Sequence, residues 1–421
     1  MKRAKDWYSI HLDANKKDMK SLKSLLILGP GPSSSHTIGP YRIVLSFISG
    51  LGRKDIKEIN VVLYGSLALT GKGHSTDEII SKAIGNIPHK VTFVTSYEGL
   101  THPNTMTCEA IFMDGSSLKK RYLSIGGGAF KEEGKESEEK DVYQFSSFDG
   151  LKEYLKQNNI DDVYRVILEN DASDIYEYGK EMLIHSFDTI EESLQKEGVL
   201  PGNLKLKRVA KEIHQRALSS QDEEDKRLLL LTSYAYATSE ANANNELIVT
   251  TPTCGAAGVV PACLYYEMKH HGYPIESLVP AYLVGALVCS FIKENAGVSG
   301  ALLGCQSEIG SAASFASASL SYLHGLSLYQ IEYGAEVAME HFLGLTCDPV
   351  DGYVQIPCIE RNAIAAIHAY SGYLYAKNIA IYRKNKVSFD KVVAAMKETG
   401  NELPMELKET SLGGLAKTFC S

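Results

Sequence analysis

Cys305, Cys347 and Cys358 are the residues of this chain placed best for metal chemistry. Cys347 and Cys358 lie in CDPVDGYVQIPCIERNA, and Cys305 lies in SGALLGCQSEIGSA. Each stands among small, polar or turn-forming residues, not in an aliphatic run. Pro349, Gly352 and Pro357 make the Cys347–Cys358 segment a stiff loop that can hold two thiolates at a fixed separation. The spacings, with forty-one and ten residues between, fit neither a CxxC zinc pair nor a ferredoxin run. Two readings therefore stand side by side. One is three ordinary buried thiols, since free cysteine is among the most buried residue types. The other is three ligands of an iron–sulfur cluster that leaves one iron open for substrate.

Two further stretches carry chemistry. In TGKGHSTDEII, Gly71 and Gly73 flank Lys72, and His74 precedes Ser75, Thr76 and Asp77, a helix-start pattern. A histidine at an element end can serve as a general base, or simply bond to backbone. Lys72 lacks the GxxxxGK[ST] setting of a phosphate loop. Upstream, residues 33–40 read SSSHTIGP, a loop leading into a helix. Its hydroxyls and first N–H groups suit a carboxylate, and they equally suit a plain helix cap.

The elements that must position these groups are legible in outline. Residues 58–69 read as a buried strand ended by Gly65, and residues 90–95 as another. CEAIFM and RYLSIGGGAF add two more, after the polar loop THPNTM. Strands and helices are expected to alternate to about residue 165, as an α/β domain with an open sheet. The mixed-charge run 131–140 reads as a solvated loop. From about residue 175 helical periodicity takes over, with LPGNLKL (200–206) as a turn-rich connector. Beyond Leu228 the chain is rich in Ala, Ser, Gly and Tyr, which suits closely packed helices. A helix is expected over about 360–384 and a charged one from about Ser388. The fold class is thus α+β: an N-terminal α/β open-sheet domain, then an all-α domain. The boundaries read as an extension (1–20), an α/β substrate-binding-type domain (21–170), a linker and first helix (171–205), and a helical domain with a C-terminal tail (206–421).

Composition narrows the classes. The 421 residues are 44% hydrophobic and 22% charged, ordinary for a globular protein and enough for more than one domain. A net charge of −8 offers no basic footprint for nucleic acid. The basic, polar N-terminus has no apolar signal core. Residues 278–292 are the most apolar window but fall short of a spanning helix, so a buried core helix is expected and no membrane. The other five cysteines are Cys108, Cys254, Cys263, Cys289 and Cys420. Without a signal sequence, thiols or metal ligands in a reducing cytoplasm are expected, not disulfides. Cys254, in a glycine-rich loop, reads as a structural small residue. Cys420 follows the flexible pair Gly413–Gly414 and could reach an open iron.

Taken together and in order, GPSSSHTIGP, YGSLALTGKGH, HPNT, SIGGG, LPGNLKLKR, TTPTCGAAGVVPA, KENAGVSGALLGCQSEIG, LTCDPVDGYVQIPCIERNA and KETSLGGLA resemble the iron–sulfur-dependent L-serine dehydratases, or L-serine ammonia-lyases. The resemblance runs from about residue 21 to the C-terminus and is to the single-chain form without an ACT domain. It implies a 4Fe-4S cluster held by Cys305, Cys347 and Cys358, with His74 as base. It implies that Cys420 caps the fourth iron, although here Ser421 follows it. Ser33, Ser34, Ser35, His36, Thr37 and Asn104 become candidates to hold the carboxylate and ammonium of L-serine. A cytoplasmic homodimer is expected. Two other readings are an L-cysteine desulfidase using the same cluster, and a non-catalytic amino-acid-sensing metalloprotein.

Overall fold

Alternation in IKEINVVLY builds the first long strand, β1 (Ile56–Tyr64): Ile59, Val61 and Leu63 point into the core and are fully buried. The computed structural model describes residues 18–135 and 140–419. β1 pairs in parallel with β2 (His89–Val94), through a crossover that carries helix α2 (Thr76–Ile84). It pairs antiparallel with β3 (Thr105–Phe112), followed by β4 (Ser117–Gly126) and β5 (Ala129–Glu132). The sheet order is β2-β1-β3-β4-β5. The expected alternation of strand and helix therefore stops at β2. The turns after β3 and β4 are too short for a crossover, so residues 105–132 form an antiparallel meander. One face of the sheet is closed by α2 and α1 (Gly39–Ser49), with Ile43, Val44, Phe47, Ile80 and Ile84 packed on Val61, Met106 and Ala110.

The rest is helical: α3 (Phe148–Asn158), α4 (Val163–Asn170), α5 (Ile175–Ser193), α6 (Ala210–Ser219), α7 (Glu223–Ala243), α8 (Val259–His271), α9 (Ile275–Asn295), α10 (Ile309–Leu323), α11 (Leu328–Glu340), α12 (Cys358–Asn378) and α13 (Phe389–Glu402). α10 is the central rod, and its Ala/Ser sequence is what lets neighbours close on it. A Cβ on Gly372 of α12 would stand 2.6 Å from Ser317 Oγ and 2.8 Å from the Gly334 carbonyl oxygen of α11. α9 is long and apolar enough to cross a membrane, yet 78% of its apolar window is buried inside the protein, as a core helix should be. Leu22, Leu25, Phe148, Leu151, Val166 and Ile167 also belong to the helical core. The sequence boundary at residue 170 thus falls beyond elements that pack with the helices. A short ribbon, Leu28–Pro30 on Leu247–Val249, ties the chain ahead of α1 to the end of α7.

Candidate active site

The strand-to-helix connection after β1 places His74. Gly65 closes the strand at φ 56, and a short helical turn, Ser66–Leu69, brings the chain round to Thr70. The His74 N–H donates to the Thr70 carbonyl oxygen at 3.1 Å, and its Nδ1–H donates to the same oxygen at 2.8 Å. That bond fixes the tautomer, leaving the lone pair on Nε2. Nε2 is buried and makes no hydrogen bond among the described residues. Burial holds the His74 ring at about 4, so it is neutral over the whole working range.

His36 stacks on His74, with ring centroids 4.5 Å apart. It comes from the serine loop, which enters α1 through a wide helical turn, Ser34–Ile38. Its Nδ1 lies 2.9 Å from Ser35 Oγ, and its Nε2 lies 2.9 Å from Thr70 Oγ1 and 3.3 Å from Ser66 Oγ. Burial, then the neighbouring His74, lowers it well below an ordinary histidine. Thr37 spends its hydroxyl on the Pro30 and Ser33 carbonyl oxygens, 2.8 and 2.5 Å away. Ser124 Oγ, from β4, donates to the Ser35 carbonyl oxygen at 2.8 Å, and the Ser124 N–H donates to the Asn104 carbonyl oxygen at 2.9 Å. Asn104 is fully buried, with neither side-chain amide atom bonded among the described residues. Ser33 to Ser35, His36 and Asn104 are thus held around one region by β4. A cavity of 670 Å³ opens beside it, between the sheet and the helices, lined by His102, Gly126, Lys131, Ser299, Leu302 and Lys397 among others.

The cysteines come from three turns. Cys305 follows Gly304, Cys358 opens α12, and Cys347 lies in the loop between α11 and α12. All three are buried. The ligand atoms of Cys305, Glu308 and Cys347 lie within 4.8 Å of one another. A Cβ on Gly300 would stand 3.3 Å from Cys347 Sγ and 2.5 Å from Glu308 Oε2, so this glycine keeps the space over the sulfur open. Arg361, one turn into α12, bonds the Thr346 carbonyl oxygen at 2.8 Å and lies 3.4 Å from Asp348. The neighbouring Cys347 thiol and the Arg361 guanidinium hold Cys305 down at about 6. Its negative sulfur in turn keeps Cys347 and, after burial, Cys358 well above an ordinary thiol. Cys254 packs with Ile27, Ile38 and Ala257, as a structural small residue would.

The segment after α13 joins the two halves. The Cys347 N–H donates to the Leu407 carbonyl oxygen at 2.8 Å, and the Glu409 N–H donates to the Cys347 carbonyl oxygen at 2.6 Å. Glu409 thereby reaches the edge of the histidine pair, its Oε1 lying 3.7 Å from His36 Nδ1 and 3.8 Å from His74 Nε2. Burial, then the Cys305 charge, raises it to about 7. The same causes push Glu308 well up. Sequence reasoning missed Glu409, Glu308, Arg361, Ser66 and Thr70. The signal was present, since Glu409 lies in KETSLGGLA, Glu308 in GCQSEIG and Arg361 in CIERNA. Cys420 lies outside the described residues. Lys72 is an exposed partner of Asp77.

This donor set suits a thiolate-held cationic centre. Three thiols and two carboxylates share a buried region with one guanidinium, and ionising more than one sulfur there calls for added positive charge.

Comparison with known proteins gives the family. Residues 21–94 match the family model "Serine dehydratase beta chain", and residues 102–416 match "Serine dehydratase alpha chain". The two matches meet between β2 and β3, inside the sheet. L-serine dehydratase of Streptomyces coelicolor is 35% identical, over 94% of this chain and 98% of that protein. L-serine dehydratase 2 of Escherichia coli K12 is 36% identical, over 94% of this chain and 98% of that protein. The Haemophilus influenzae L-serine dehydratase is 35% identical, over 96% and 100%. With its buried thiols, histidine pair and near full-length relatives, this chain belongs to the serine dehydratase family, with the alpha-type and beta-type parts fused.

Proposed function

We propose that this chain is an L-serine ammonia-lyase that converts L-serine to pyruvate and ammonia by β-elimination. The observation that carries the reading is the His74 lone pair: a buried, neutral imidazole nitrogen without a hydrogen bond among the described residues, in the pocket that Glu409 shares with the cysteine turns. In this reading Cys305, Cys347 and Cys358 would hold a 4Fe-4S cluster. That group supplies a Lewis acid for the departing hydroxyl. His74 Nε2 takes the proton from Cα, and the Nδ1–H bond to Thr70 steadies the imidazolium that forms. His36 stacks against it and keeps the ring plane. The hydroxyls of the serine loop, Ser33 to Ser35, and the Asn104 amide orient the substrate carboxylate. Thr37 serves the loop itself. Elimination yields aminoacrylate, which tautomerises and hydrolyses to pyruvate and ammonia. Burial of both histidines excludes water from the proton transfer. Cys420 is proposed as the cap of the open iron before substrate arrives. The working unit is proposed to be a cytoplasmic homodimer.

The test is an anaerobic preparation assayed for iron, acid-labile sulfide, visible absorbance and products. Pyruvate and ammonia from L-serine, with iron and sulfide present, are expected. Cys305→Ala, Cys347→Ala and Cys358→Ala should each lose the absorbance and the turnover. Turnover by a colourless, iron-free chain would refute the cluster. Sulfide from L-cysteine at a higher kcat/KM than pyruvate from L-serine would refute the substrate.

A further inference from the structure

We infer that Glu409 is the substrate's ammonium acceptor, the group that makes this site select an α-amino acid over the matching hydroxy acid. The inference rests on the L-serine reading above. In that reading the carbon that loses its proton to His74 also carries the ammonium. The ammonium partner must then lie close beside the base, each reaching about 3 Å to its own atom. Glu409 Oε1 stands 3.8 Å from His74 Nε2, too far for a mutual hydrogen bond and suited to two substituents of one carbon. The nearby Ser33 hydroxyl and Ala301 N–H favour its charged form, and the lone pairs of a carboxylate leave acceptor capacity for a cation. Glu308 is engaged elsewhere: it takes the Thr253 hydroxyl at 2.8 Å and lies against Cys347 Sγ at 4.0 Å. The serine loop and Asn104 are neutral, as a carboxylate site built of hydroxyls and amides can be. So, among the described residues, Glu409 is the anion facing His74, and the zwitterion divides between it and the loop. The residue comes from a segment far along the chain, on the strength of two backbone bonds with Cys347.

The test compares L-serine with 3-hydroxypropanoate, the same molecule without its ammonium, as a competitive inhibitor of the holoenzyme. In Glu409→Gln, KM for L-serine should rise about 10-fold or more, while the Ki of 3-hydroxypropanoate stays within about twofold. Glu409→Asp should fall between Gln and wild type in KM. If Glu409 merely positions the histidines, kcat falls with KM unchanged, or both ligands weaken equally; either result overturns the assignment. Should the Gln variant fail to fold, by circular dichroism, the Asp variant and wild type decide. Wild type that binds 3-hydroxypropanoate as tightly as it binds L-serine overturns it. Wild type that makes no pyruvate from L-serine fails the parent reading instead, and that is measured first.

Discussion

Replacing His102 by Asn should make the protein less sensitive to acid, and the size of the change follows from one ring. His102 is 5% exposed, and its Nδ1 accepts the Asn104 N–H at 3.0 Å. That bond uses the lone pair that a proton would take. Burial, then the nearby Lys131, lowers the ring from 6.5 to about 4. The unfolded chain thus binds more protons than the folded one between these values. Stability is full above pH 6.5 and is lost as pH falls toward 4. Going from pH 8 to pH 5, protonating the unfolded ring costs the native state about 2 kcal/mol. Asn at this position can accept the same N–H through its Oδ1 and does not titrate. Its own cost or gain is the same at both pH values and cancels in the double difference. Urea unfolding of wild type and His102→Asn at pH 8 and pH 5 measures it. The variant should lose about 2 kcal/mol less on acidification. His36 and His74 still contribute, so its curve keeps a slope. Identical losses in the two proteins would refute a neutral, acid-sensitive His102.

His74→Ala should keep the iron, sulfide and visible absorbance of wild type while turnover falls by about 10²-fold or more; parallel loss of colour and activity would reassign His74 to structure. Gly73→Ala puts a Cβ 3.0 Å from the Gly352 carbonyl oxygen, where the histidine loop meets the cysteine loop. It should destabilise by about 1–3 kcal/mol in thermal unfolding, with lower activity, and an unchanged melt would show that this junction yields. Arg361→Gln removes the cation that helps keep Cys305 at about 6. In metal-free chain at pH 7, iodoacetamide labelling of Cys305, read by peptide mass spectrometry, should slow several-fold, and an unchanged rate would place the control elsewhere.

Much of this site was legible because it is written in local chemistry. Proline and glycine around Cys347 and Cys358 mark a fixed loop, and the loop is there. Gly65 does end its strand, and residues 278–292 do form a buried helix. The meander after β2 was not legible, since an apolar run of strand length carries no record of which neighbour it pairs with. Nor was the setting of Glu409 and Arg361, which depends on partners elsewhere in the chain although both lie in motifs the sequence displays. The bridge between Cys347 and Lys408 spans sixty-one positions and is made by backbone, to which side-chain pattern is blind. Asn104 was reached through HPNT, yet its unbonded amide is a fact of three-dimensional burial only.

The position of the site follows from what its groups require. A neutral imidazole, buried carboxylates and several thiols must be dry to act, but a dry pocket cannot be lined by the loops of one small sheet. The sheet part offers His74 from the connection after β1 and His36 from the loop that enters α1, and the helical part offers sulfur, guanidinium and carboxylate. Both sets become buried only where the parts touch. Backbone meets backbone there: a Cβ on Gly73 would stand 3.0 Å from the Gly352 carbonyl oxygen. Within the helical part, the Ser411 hydroxyl donates to the Pro349 carbonyl oxygen at 2.8 Å. Asp348 fastens the segment after α13 as well, accepting the Leu415 N–H at 2.8 Å while it faces Arg361. Glu409 is therefore held by the same loop that carries Cys347. Any shift of that loop moves the carboxylate and the sulfur together relative to His74, so the roles proposed for Glu409 and Cys347 are coupled. Substitutions along residues 347–352 should then alter KM and metal content jointly.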